Sequence, residues 1–113
     1  MDEKATVDFA EFLRCDLRVG TVISVAPLAE ARRPAFVMKI DFGPLGVLKS
    51  TAQLTGNYQE DELLDTQVVA VVNLPPKQVG HHLSQCLVLA GLIDQGVSLL
   101  ALRDHVPNGT PIA

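Results

Sequence analysis

The sequence predicts an all-β fold, a small Greek-key barrel preceded by a short helix and followed by extra strands. Three observations predict it. The chain of 113 residues contains about five apolar or alternating runs of strand length, each bounded by turn signals. One helical insertion falls between the third and fourth runs, which is the pattern of the five-stranded OB-fold barrel. The length suits one domain with its own core, and no linker, repeat or low-complexity stretch divides residues 1–113.

Taken in order, residues 1–5 are a polar tail. Thr6 or Asp8 can cap a short helix over Val7–Leu13, and Asp8 with Glu11 has the spacing of a capping box. Val7, Phe9, Phe12 and Leu13 give that helix an apolar stripe, and a helix this short needs something to pack on. In Leu17–Leu28, Leu17, Val19, Thr21, Ile23 and Val25 share one face. Gly20 interrupts the other face, which predicts a bend, a bulge or a close backbone approach. Glu30–Pro34 is a charged loop tipped by Arg32 and Arg33. Ala35–Phe42 alternates as a second strand, Gly43-Pro44-Leu45-Gly46 is a turn, and Val47–Thr51 is the return strand.

Tyr58–Leu64 reads as one or two helical turns between strands three and four. Gln67–Asn73 and Gln85–Leu92 are nearly uninterrupted apolar strands, which predicts that both faces of each are covered. Asp94-Gln95-Gly96 turns into a strand over Val97–Leu102. Val106-Pro107-Asn108-Gly109 is a turn, and Thr110–Ala113 is a last short strand. Two fully apolar strands exceed what one small core needs. They fit best if a second copy of the chain buries an outer face, using the N-terminal helix and the C-terminal strands.

Composition agrees with that expectation. Apolar residues make up 48% and charged residues 19%, too little polar side chain to cover a small monomer well. No signal peptide or membrane-length apolar run is present, so a cytoplasmic protein with no membrane insertion is expected. Cys15 and Cys86 form no CxxC pair and read as two buried free thiols, with a cross-strand disulfide as the minor alternative.

The segment from Asn73 to Ala90 is chemically unlike its surroundings. It joins two apolar runs through Pro75-Pro76, Lys77, Gly80, His81-His82 and Ser84-Gln85. A hairpin serving stability alone would use a short turn there. Long mixed connectors over a rigid scaffold are where function tends to sit.

Catalysis is poorly supported. Ser84 lacks the glycine context of a nucleophile, Asp8, Glu11 and Glu60–Glu62 read as solvated charge, and no phosphate-binding glycine loop is present. No metal or other cofactor is expected. Adjacent extended residues point to opposite sides, so His81 and His82 do not chelate one ion, and His105 and Cys86 complete no zinc spacing.

RNA binding is the stronger case. OB barrels bind nucleic acid across one face and its adjoining loops. Arg32, Arg33, Lys39, Lys49 and Lys77 fall on strands and loops that border such a face. Asn73, Gln78, Ser84 and Gln85 offer hydrogen bonds to base edges or a 2′-hydroxyl. With only Phe36, Phe42 and Tyr58 beyond the first helix, the stacking platform of a general single-strand binder is missing. A folded RNA read by shape and phosphate position fits better. The net charge of −4 opposes this, and on composition alone an ordinary solvated surface is the better reading. Asp16 and Arg18 read as a structural pair near the start of the first strand, with a role in binding as the minor alternative.

The order of motifs changes the weighing. Asp16-Leu17-Arg18-Val19-Gly20-Thr21-Val22 is followed by Phe36–Gly43, Lys49-Ser50-Thr51-Ala52, Val71–Gly80, Leu83-Ser84-Gln85 and Val106-Pro107-Asn108-Gly109. Over residues 7 to 113 this resembles the OB-type tRNA-binding domain that is appended to bacterial methionyl-tRNA synthetase and also occurs as free-standing dimers. Within that superfamily it most resembles the CsaA secretion chaperones. The broader module reads Ser-x-Gly-Met where this chain has Ser84-Gln85-Cys86-Leu87, a departure that fits the CsaA subgroup. The resemblance implies a non-enzymatic homodimer that binds tRNA and holds unfolded or pre-secretory polypeptide in a dimer groove. Lys77, Asn73, Ser84 and Gln85 are then the core of the ligand face, with Gln78, Lys49, Lys39, Arg32 and Arg33 around it. A polypeptide chaperone that has lost RNA affinity is the alternative.

Overall fold

In the computed structural model, which describes residues 2–28, 34–54 and 56–113, the chain is mostly strand. The barrel is built from β1 (Leu17–Pro27), β2 (Phe36–Asp41), β3 (Val47–Ala52), β4 (Gln67–Val71) and the short β7 (Leu87–Val88), in the antiparallel order β3-β2-β1-β4-β7. Two hairpins stand outside it, β5 (Lys77–Val79) with β6 (His82–Ser84), and β8 (Ala90–Ile93) with β9 (Gly96–Leu99). A last strand, β10 (Pro111–Ile112), pairs with the start of β1. This is the expected OB-like all-β fold, with α1 (Phe9–Leu13) before the barrel and α2 (Glu60–Leu63) between β3 and β4.

Alternation explains the core. Phe36, Met38 and Ile40 of β2, with Phe42 just beyond it, point inward and meet Val22, Leu63, Val68 and Ala70. The intervening Val37, Lys39 and Asp41 are left on the outer face, as a two-residue period requires. Gly20 proves to be a close approach: a Cβ there would lie 2.6 Å from Ile40 Cγ2 and 2.7 Å from the Phe42 ring. The irregularity in β1 lies further along the strand. Its pairing with β2 slips between Val22 and Ser24, so the single face expected for Leu17 through Val25 breaks. Val22 is fully buried while Ile23 is pushed outward, as a bulge dictates.

Val68, Val69 and Ala70 are all buried, so both faces of β4 are covered as expected. The chain's own C-terminal turn is bonded onto β1 and the start of β4. The Val19 N–H donates to Thr110 O at 3.0 Å, and the Gly109 N–H to Val19 O at 2.7 Å. Gln67 holds the Val106 carbonyl at 2.7 Å and the Val106 N–H at 3.2 Å, while Thr21 donates to Asn108 Oδ1 at 2.7 Å. Gly43 and Gly109 both adopt positive φ, +63° and +90°. A Cβ on Gly43 would strike the Asn108 carbonyl, and one on Gly109 would strike the Phe42 carbonyl. Two turns are thus stacked backbone on backbone.

Other expectations are corrected. The run Gln85–Leu92 is not one covered strand. It divides at Leu89, where the chain leaves the barrel for the β8–β9 hairpin, and Leu87, Leu92 and Ile93 are exposed. The strand expected over Val97–Leu102 spans Gly96–Leu99. The Asp8 side chain caps nothing; the Glu11 N–H bonds the Asp8 backbone carbonyl instead, at 2.9 Å. A reciprocal capping box forms at α2, between Gln59 and Glu62. Cys15 is exposed, and only Cys86 is a buried free thiol. Asp16 and Arg18 do pair, at 2.6 Å.

Candidate nucleic-acid interface

The eighteen-residue connector from Asn73 to Ala90 holds structure of its own. Gly80 and His81 form a two-residue turn between paired Val79 and His82. Gly80 takes φ +59° with His81 outside the positive region, the backbone demand of a II′ hairpin. The hairpin folds over the outer face of the barrel, where Val79 packs against Leu28, Ala35 and Val37. Beneath it runs a groove of about 370 Å³, whose apolar walls include Ala35, Ala52, Leu74, Pro75 and Val79. Lys77, Ser84 and Gln85 give the groove its polar margin.

This region also completes the barrel. The Gln85 N–H donates to Lys49 O at 2.8 Å, and the Lys49 N–H donates back to the Gln85 side-chain oxygen at 2.9 Å. The Thr51 N–H donates to Ser84 Oγ at 3.1 Å. The buried Ser50 hydroxyl donates to Cys86 O, also at 3.1 Å. Two side chains here do what a neighbouring strand's backbone does elsewhere in the sheet. That arrangement satisfies the N–H groups of an edge strand that would otherwise stay open.

The expected site residues therefore fall into groups. Ser84 and Gln85 line the groove while their side chains hold β3. Asn73 stands apart, accepting from the Asp16 N–H at 2.8 Å and donating to Arg14 O at 2.6 Å, so it ties the exit of α1 to the end of β4. Gln78 donates to Gly80 O within its own hairpin, at 2.8 Å. Lys77 is exposed on the groove margin, with no ion-pair partner among the described residues. Lys39 and Lys49 lie opposite one another on β2 and β3. They border a second, shallow hollow with Val47, Leu83 and Gln85, so Gln85 is common to both depressions. Arg32 and Arg33 lie outside the described residues. Sequence reasoning missed His82, whose Nδ1 sits 3.2 Å from Lys49 Nζ. Only the hairpin pairing puts it there, and strands of three residues are too short for alternation to announce.

An OB barrel with lysines around a groove on one outer face defines a class, the OB-fold ligand-binding modules that use a strand face and its loops. The chain belongs to the tRNA-binding domain family and, within it, to the CsaA family. Residues 17–111 match the family model described as "Putative tRNA binding domain". Among solved structures, the chaperone CsaA of Bacillus anthracis str. Ames is 45% identical with a TM-score of 0.92, aligned over 96% of this chain and 100% of that one. The CsaA chaperone protein of Picrophilus torridus is 40% identical with a TM-score of 0.91, over the same shares. A methionine–tRNA ligase of Leptospira biflexa is 32% identical over 109 residues, 96% of this chain. The chain spans only 16% of that ligase.

Proposed function

We propose that this chain is a non-enzymatic, cytoplasmic homodimer whose single OB domain, residues 1–113, binds tRNA on its basic face and serves as an export-related chaperone. The observation that carries the reading is the juxtaposition of Lys39, Lys49 and Lys77 around two depressions that share Gln85, in a chain of the tRNA-binding domain family. Phosphate contacts by such lysines position an RNA without reading its sequence. The polar atoms of Asn73, Gln78, Ser84 and Gln85 retain acceptor or donor capacity beyond their internal bonds. The chaperone half rests on greater identity to the two CsaA chaperone structures, 45% and 40%, than to the ligase's 32%. The apolar walls of the groove suit an extended, unfolded polypeptide, and a second copy of the chain would widen that groove.

A second reading has its own support. The net charge of −4 and the apolar groove favour a polypeptide chaperone that has dropped RNA.

One titration separates them: bulk tRNA against purified protein across a range of salt, with an unfolded peptide as competitor. Salt-sensitive binding is expected. Lys77→Ala should weaken it and reduce the log–log salt slope by roughly 0.7 to 0.9, the loss of one phosphate contact. An unchanged slope removes Lys77 from the footprint. Peptide binding with no tRNA binding even at low salt selects the second reading.

A further inference from the structure

We infer that Lys39, Lys49 and His82 form a phosphate subsite on the outer face of β2 and β3, with His82 acting as a donor beside two ammonium groups. The inference rests on the RNA-binding reading and names the residues that would take one backbone phosphate.

Lys39 and Lys49 are direct cross-strand partners. Such partners have Cβ atoms about 5 Å apart, and like charges placed there oppose folding. Among the described residues neither lysine forms an ion pair that would offset the repulsion. The nearest acid in sequence on that face, Asp41, is turned to accept the Gly43 N–H at 2.8 Å. Two facing cations with no counter-ion among the described residues are a place for an external anion.

The contact between Lys49 and His82 adds direction. An ammonium group has only donors, so at 3.2 Å the Lys49 Nζ donates and His82 Nδ1 accepts. The ring in that tautomer carries its proton on Nε2, on the edge away from Lys49. Lys49 thereby fixes the orientation of His82 and leaves the imidazole N–H available to a ligand. Across the hairpin His82 pairs with Val79, and its chain neighbours are His81 and Leu83, so no carboxylate flanks it there. A phosphodiester, with one negative charge and two non-bridging oxygens, matches two ammonium donors and one imidazole N–H, and such charge-assisted bonds are the strong ones.

The test compares tRNA affinity across salt for Lys39→Met, Lys49→Met, His82→Phe and His82→Gln. Each lysine change should reduce the salt slope by roughly 0.7 to 0.9. His82→Phe should lower affinity about three- to tenfold at fixed salt, the worth of one hydrogen bond. It should leave the slope alone, because an uncharged donor releases no counter-ion. His82→Gln keeps an N–H and should recover most of the loss. If all four variants match wild type while Lys77→Ala still weakens binding, the subsite is overturned and the RNA reading stands. If wild type binds no tRNA, the RNA reading falls, and inorganic phosphate titrated into ¹⁵N-labelled protein decides the subsite. A shift at His82 Nε2 that disappears in Lys49→Met supports it, and no shift overturns it.

Discussion

Cys86 sits where the barrel closes, its sulfur 3.7 Å from the Lys49 carbonyl. Burial pushes its thiol up from the ordinary value of 9.0 to about 11, a rise that the hydrogen bond with Ser50 only partly offsets. The sign follows from the protons bound. Between pH 9 and 11 the unfolded thiol has ionised while the folded one keeps its proton, so folding is progressively opposed as pH rises. Its contribution is intact below pH 9 and is lost through that window. Urea titrations at pH 8 and pH 10.5 should show wild type losing more stability than Cys86→Ala, and equal losses would mean that the folded thiol ionises as readily as the unfolded one. At this scale the sequence is legible as chemistry but not as partnership. Asn73, Ser84 and Gln85 stand out as polar residues in an odd connector. Each also bonds chain that lies far off in sequence: Asn73 reaches Asp16, 57 residues away, and Gln85 reaches Lys49, 36 residues away. Composition reveals a polar group and says nothing of which distant backbone completes it.

Among the elements, the seam between β3 and residues 84–86 is the one where side chains stand in for a strand. Gln85→Ala removes the acceptor from the Lys49 N–H. It should cost about 1–2 kcal/mol and speed hydrogen exchange at the Lys49 amide, while the β1–β2 amides stay protected. Unchanged exchange at Lys49 would show that the seam closes without Gln85. The alternating strand β2 and the return strand β3 after the Gly43–Gly46 turn were legible in the sequence, as was the helical insertion before β4. The β5–β6 hairpin was not, because three-residue strands after Pro75-Pro76 give periodicity nothing to register. The division of Gln85–Leu92 was also hidden. An apolar residue is written the same way whether it faces a core or another molecule.

For the molecule as a whole, that ambiguity has a use. Phe9 is 72% exposed and Leu92 is 84% exposed. Val7, Leu13, Leu87, Ile93, Leu100 and Leu102 are uncovered as well, and a second copy of the chain is one way to cover such groups. The stacked rings of Phe9 and Phe12, 6.3 Å apart, lie on a helix with no buried residue of its own. If a second copy covers these groups, sedimentation at nanomolar concentration should give a folded dimer or unfolded chain. A stable folded monomer would sink the dimer.

The stacked turns carry one more consequence. Because Gly43 leaves no room for a side chain against Asn108, and Gly109 leaves none against Phe42, neither turn can be rewritten while the other stays fixed. Segments more than sixty residues apart are bound into one unit of inheritance. A lineage that alters the first hairpin must alter the last turn with it, and a chimera joining the two from different ancestors inherits a lock with another lock's key.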